Sequence, residues 1–158
     1  MATVYVETSI IGYLTARSRE SLIFQARQEL TRRWWNSSRE HYDLRVSQLV
    51  LDEAAAGDAE AANERLRLLA GIPLLASSDA RIDSLAEGLV SAHLLPERAR
   101  SDAHHVAIAT VHRVEYLLTW NCKHIANAAT LPGVYRLLTQ RGYTPPLIVT
   151  PEEFSGDA

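Results

Sequence analysis

The stretch from Ser101 to Asn127 changes its hydrophobic period partway along, and that change restricts the fold more than any other feature of the chain. In its first half Asp102, His105, Val106 and Ala109 fall at i, i+3, i+4 and i+7, with Ile108 and Val111 among small alanines, which is helical spacing. Ser101 is placed to cap that helix, and Asp102 to sit in its first turn, where the backbone dipole favours negative charge. The second half holds Tyr116, Leu117 and Leu118, a run too short for a helix and suited to a buried strand. Thr119, Trp120 and Asn121 follow at the strand's carboxyl end. In an open α/β sheet ligands gather outside the carboxyl ends of the strands. The unit therefore offers a carboxylate at a helix start and polar groups at a strand end to one crevice.

The beginning of the chain repeats this arrangement. Val4, Tyr5 and Val6 form a short apolar strand, within residues 3–6, and Glu7, Thr8 and Ser9 come straight after it. Ordinary helix capping explains acids and hydroxyls at either place taken singly. Taken together, and without basic neighbours in sequence, they suit a metal site better than a salt bridge. A short helical piece over Ile10–Leu14 follows, then a helix from a Ser18 cap to about Trp35. Arg32, Arg33, Trp34 and Trp35 make the chain's basic–aromatic cluster, which reads either as core tryptophans beside solvated arginines or as a phosphate-contacting or partner-binding surface. Two adjacent tryptophans on one regular helix cannot both face one core, which favours the surface reading.

Farther on, Leu44–Ser47 reads as a second strand and Gln48–Ala56 as a helix carrying Asp52 and Glu53, ended by Gly57. Asp58 caps a helix through Leu69, Pro73–Ala76 is an edge strand, and Ser78 or Asp79 caps the next helix. After the helix and strand of the opening, Cys122–Ala128 reads as a short helix, Leu131–Gly133 as a turn, Val134–Gln140 as a helix and Leu147–Val149 as a last strand. Strands alternating with helices indicate a mostly parallel sheet with helices on its faces, in a single domain over 1–158.

Composition closes off several classes. At 47% hydrophobic residues the chain has the material for a core, and disorder is not expected. The lone Cys122 rules out an intrachain disulfide framework and a cysteine-rich zinc site, and fits a reducing cytoplasm. No apolar run approaches membrane-spanning length. A net charge of −3 argues against broad electrostatic binding to nucleic acid but leaves room for a local basic rim. Glycine-rich phosphate loops and the G-x-S-x-G elbow are missing, and His105 and His112 do not have the spacing of a zinc pair. What remains is a set of acids spread along the chain: Glu7, Glu53 and Asp102, with Asn121 at the second strand end.

That set, in its order, resembles the PIN-domain nucleases of the VapC toxin type. The first strand and acid are V-Y-V-E-T-S, with Glu7 where the family usually has Asp. S-Q-L-V-L-D-E brings the second acid, Glu53, and D-A-x-x-x-A-x-A the third, Asp102. The fourth position, T-x-[DN], is met by Asn121, and I-V-T-P-E-E-F looks like the family's closing strand and tail. The resemblance implies a PIN-like α/β/α sandwich and a metal-dependent endoribonuclease using Mg²⁺ or Mn²⁺. It implies Glu7, Glu53, Asp102 and Asn121 as catalytic residues, with Glu7 and Asp102 the main metal ligands. Thr8, Ser9, Thr119 and Lys123 would support the ligands or touch the RNA, and His105 would lie hydrogen-bonded beneath the site. It also implies a homodimer, a cognate antitoxin and no membrane. Glu7 carries its carboxylate one methylene further than Asp, and Asn121 brings no charge. Both departures keep open a PIN domain that binds RNA or a partner without cutting. The residues alone also allow a phosphatase-like or small-molecule hydrolase on another α/β scaffold.

Overall fold

A computed structural model describes residues 1–155; residues 156–158, the end of the expected domain, lie outside that description. The strands are β1 (Thr3–Val6), β2 (Asp43–Ser47), β3 (Leu74–Leu75), β4 (Tyr116–Leu118) and β5 (Leu147–Val149). The helices are α1 (Thr8–Thr15), α2 (Leu22–Arg33), α3 (Gln48–Ala54), α4 (Ala59–Leu69), α5 (Ala80–Ser91), α6 (Arg100–Val111) and α7 (Leu131–Gln140). Every strand pairing is parallel, and the sheet order is β3-β2-β1-β4-β5. This is the expected α/β/α sandwich, with β1 at the centre, where Val4, Tyr5 and Val6 are covered on both faces. β3 is the outer strand on its side, and Pro73 just before it gives up no N–H that the sheet needs.

The order places the reversal of the chain between β1 and β4. From β1 the chain moves outward through β2 and β3, then returns to the other side of β1 for β4 and β5. Such a switch point opens a crevice where the loops leave in opposite directions. Register fixes what lines it: Val6 pairs with Leu118, so Glu7 and Thr119 leave the sheet side by side, and the Glu7 N–H donates to the Leu118 carbonyl at 3.1 Å.

Local expectations fare unevenly. Asp58 and Asp79 cap α4 and α5 through their carboxylates, as expected. Ser101 does not cap α6. A tight turn over Glu97–Ala99 follows Pro96 and runs straight into the helix, so the cap is Ala99 and Ser101 lies inside the first turn. The cap of α2 is Ser21 rather than Ser18; its Oγ accepts from the Phe24 N–H. The segment after β4 is a run of turns, not a helix. Leu131–Gly133 is not a separate turn but the opening of α7. Gly133 is needed there, since a Cβ would lie 2.5 Å from Leu94 Cδ2.

The basic–aromatic cluster is a correction as well. Trp34 and Trp35 are 2% and 5% exposed, so both belong to the core and the surface reading of the pair fails. After α2 the backbone widens into a π turn over Trp34–Ser38, and the wider winding lets neighbouring residues both face inward. Trp34 stacks against Tyr42 and Phe154, each 6.1 Å away between ring centres, while the Arg39 guanidinium covers Trp35 at 4.6 Å. Among the described residues no helix is long and apolar enough to cross a membrane.

Candidate metal centre

Glu7 is the residue around which the crevice is built. It is the N-cap of α1, an uncommon role for Glu, and its longer arm folds back so that Oε2 accepts from the Ser9 N–H at 3.0 Å. Oε1 accepts from two hydroxyls, Ser9 Oγ and Thr119 Oγ1, both at 2.5 Å. Those hydroxyls are fixed in turn: Ser9 Oγ accepts from the Trp120 N–H at 2.8 Å and Thr119 Oγ1 from the Asn121 N–H at 2.9 Å. Each has its single proton committed to Glu7, so the 3.4 Å approach between them is a contact rather than a third bond. The carboxylate thus ties the end of β1 to the end of β4, with Glu7 and Thr119 both buried.

Glu53 reaches the same place from α3. Its Oε1 accepts from Thr8 Oγ1 and from His105 Nε2, each at 2.6 Å, and its Oε2 has no hydrogen-bond partner among the described residues. Burial acts to raise this carboxyl, but the His105 hydrogen bond, the attraction of that ring and the Thr8 hydroxyl together outweigh it. The net direction is down, and Glu53 is ionised at neutral pH. An ionised carboxylate only accepts, so His105 Nε2 carries the proton of that bond. Beneath it, Nδ1 lies 2.7 Å from the Tyr5 hydroxyl, which lies 2.7 Å from Ser47 Oγ. Burial pushes the Tyr5 phenol far up, against the pull of the Ser47 bond, so it stays a neutral hydroxyl.

One oxygen of Glu7, one of Glu53 and one ring nitrogen of His105 lie within 4.8 Å of one another. Asp102 is outside that group. It stands one turn before His105 on α6, hence on the same side of the helix, half-buried and without a hydrogen-bond or ion-pair partner among the described residues. Asn121 is linked to the group through its N–H on Thr119, while its side-chain Oδ1 accepts from the His124 N–H at 3.0 Å and caps the following turn. Thr8, Ser9 and Thr119 all grip carboxylates. Lys123 is exposed and lines a groove of about 700 Å³ with Arg98 and His124. A larger groove, about 1190 Å³, opens beside Ser9 with Tyr13, Arg17 and Arg19 on its walls.

The donor set suits a hard cation. Among the described residues Glu7 and Asp102 have no Lys or Arg partner, and Glu53 pairs only with His105. Both nitrogens of His105 are spent, so the open donors are carboxylate oxygens, which Mg²⁺ and Mn²⁺ prefer. Reading the sequence missed Tyr5 and Ser47. The one available signal was the period of β1, which sets Tyr5 and Glu7 on the same face of the strand.

No protein-family model matches the chain, and no curated protein matches it. Solved structures do. A chain in the crystal structure of VapBC2 from Rickettsia felis bound to a DNA fragment from their promoter aligns with a TM-score of 0.53 and 14% identity, covering 94% of this chain and 98% of that one. A chain in the crystal structure of FitAcB from Neisseria gonorrhoeae aligns with a TM-score of 0.58 and 17% identity, covering 96% and 99%. At these identities the likeness is one of fold: the chain is a PIN-like α/β/α sandwich, the fold that the sequence resemblance implies.

Proposed function

We propose that the chain is a metal-dependent endoribonuclease of the VapC toxin type that hydrolyses RNA phosphodiester bonds with Mg²⁺ or Mn²⁺. The observation that carries this is the way Glu7 and Glu53 are held at the switch point. Each has Oε1 taken by two donors, while Glu53 Oε2 has no partner among the described residues and Glu7 Oε2 accepts only the Ser9 N–H. Asp102, without a partner, adds a third carboxylate from the same side of α6 as His105. Three acids without a fixed cation repel one another, and a divalent ion relieves that repulsion.

In this reading Glu7, Glu53 and Asp102 hold the ion. When bound, it neutralises the charge that develops on the phosphodiester in transit. Thr8 and His105 orient Glu53; Ser9 and Thr119 orient Glu7. Asn121 presents its amide N–H₂ toward the substrate, and Lys123 meets a backbone phosphate. The cognate antitoxin and the homodimer follow from the family resemblance, and the fold shared with the VapBC2 structure supports the antitoxin.

One observation favours a second reading, a PIN domain that binds RNA without cutting it. Asn121 brings no charge, and its carbonyl oxygen is engaged by His124. Cleavage of a mixed RNA pool, with Mg²⁺ or Mn²⁺ and then with EDTA, decides between them. The nuclease reading expects cleavage that needs the metal and is lost in Glu53→Gln and in Asp102→Asn, with both variants folded by circular dichroism. Cleavage that persists in EDTA and equally in both variants overturns it.

A further inference from the structure

His105 is fully buried, yet its partner is the half-exposed Glu53 at the rim of the crevice. A core histidine needs only something to satisfy its ring, and a backbone carbonyl serves. Here the ring spans from the rim into the sheet. Nε2 meets Glu53 Oε1 at 2.6 Å, Nδ1 meets Tyr5 at 2.7 Å, and Tyr5 meets Ser47 at 2.7 Å, with Tyr5 and Ser47 themselves wholly buried. The chain of bonds joins α3, α6, β1 and β2. A nitrogen that ligates a metal must offer it a lone pair, and neither nitrogen does: Nε2 points its proton at Glu53, and Nδ1 faces the Tyr5 hydroxyl. The close grouping of Glu7, Glu53 and His105 is therefore not a site of three ligands.

We propose that His105 is a positioning residue for Glu53: together with Thr8 it fixes one carboxylate oxygen and so turns the other toward the metal, while Tyr5 and Ser47 lock the ring in place. This rests on the metal-binding part of the nuclease reading. A glutamate has several rotatable bonds and spreads over many positions unless something pins it. Outer partners of this kind set the orientation of a metal's ligands, and their loss is felt in metal affinity.

The test is Mn²⁺ affinity of the EDTA-stripped protein, read from the paramagnetic resonance of free Mn²⁺. His105→Leu is expected to weaken binding by about 10–100-fold, the range usual for outer partners. His105→Gln restores most of it, because an amide N–H can donate to the same Glu53 oxygen. Tyr5→Phe, which keeps the shape of the core, weakens it several-fold and carries the test if His105→Leu does not fold. In a Glu53→Gln background His105→Leu changes nothing further, since the two act as one unit. The spectrum of bound Mn²⁺ shows no imidazole nitrogen coupling.

A nitrogen coupling that disappears in His105→Gln overturns the proposal, because His105 is then a ligand. So does a Mn²⁺ affinity unmoved by His105→Gln and Tyr5→Phe while the melting temperature falls, because the chain of bonds is then merely structural. A wild type that binds Mn²⁺ with this dependence on His105 but leaves RNA intact sinks the nuclease reading and keeps the positioning role. One that cuts RNA with an affinity indifferent to His105 does the reverse. A wild type that takes up no Mn²⁺ removes both.

Discussion

Glu7 and Glu53 meet the same requirement with different donors. Glu7 spends Oε1 on Ser9 and Thr119, and Glu53 spends Oε1 on Thr8 and His105. Thr119→Val keeps the shape of the side chain but takes a donor from a buried carboxylate and an acceptor from the Asn121 N–H. The expected loss of stability is about 1–3 kcal/mol, the usual cost of leaving buried polar groups unpaired, measured by urea unfolding. Glu7→Asp keeps the cap on Ser9, but the shorter arm does not also reach Thr119. Mn²⁺ binding is expected to weaken in Glu7→Asp, and a titration showing equal or tighter binding would mean that the Thr119 bond plays no part in orienting the carboxylate. The acids and hydroxyls of this centre were legible in the chain because each follows a strand or lies on a helix in a recognisable order. Tyr5 and Ser47 were not: the period of β1 puts Tyr5 on the side of Glu7, but bonds that cross 100 and 42 residues of sequence leave no local pattern that names their partners.

Secondary structure shows the same division between local and distant causes. Asp58 and Asp79 act as caps because the carboxylate and the N–H it meets lie two or three residues apart. Ser101 and Ser18 have the right chemistry for caps, but the helices start elsewhere, α6 because the turn after Pro96 leads into it. Trp34 and Trp35 defeat the argument from a regular helix because the backbone there is not one. Trp34→Ala is expected to cost about 3–5 kcal/mol, as for other large core aromatics. Trp34→Phe should cost much less, because the buried indole N–H has no partner to lose. Two of the helical glycines give a contrasting pair. At Gly88 an added Cβ meets only the Arg141 guanidinium, the far end of an exposed and flexible side chain, whereas at Gly133 it meets a Leu94 methyl that packs against the core. Gly88→Ala should therefore raise stability, by up to about 1 kcal/mol from helix propensity, and Gly133→Ala should not. Thermal unfolding of the two variants against wild type checks the difference in sign.

For the molecule as a whole, the proposed metal site on Glu7, Glu53 and Asp102 implies a link between metal and folding. A ligand that binds only the folded chain stabilises it by mass action, about 2.7 kcal/mol at a hundred times its dissociation constant. Mn²⁺ is expected to raise the melting temperature of the wild type and to leave that of Glu53→Gln nearly unchanged, by calorimetry with and without the ion. The sheet order carries a different consequence, in time rather than energy. Thr119, which fixes the Glu7 carboxylate, comes 112 residues after it, and β4 in turn pairs with the later strand β5. Contacts of such separation form late, because the intervening loop must be closed before they are rewarded. On a growing chain the Glu7 carboxylate therefore goes without its Thr119 donor until the 112 residues between them have been made, so the centre is assembled late rather than early.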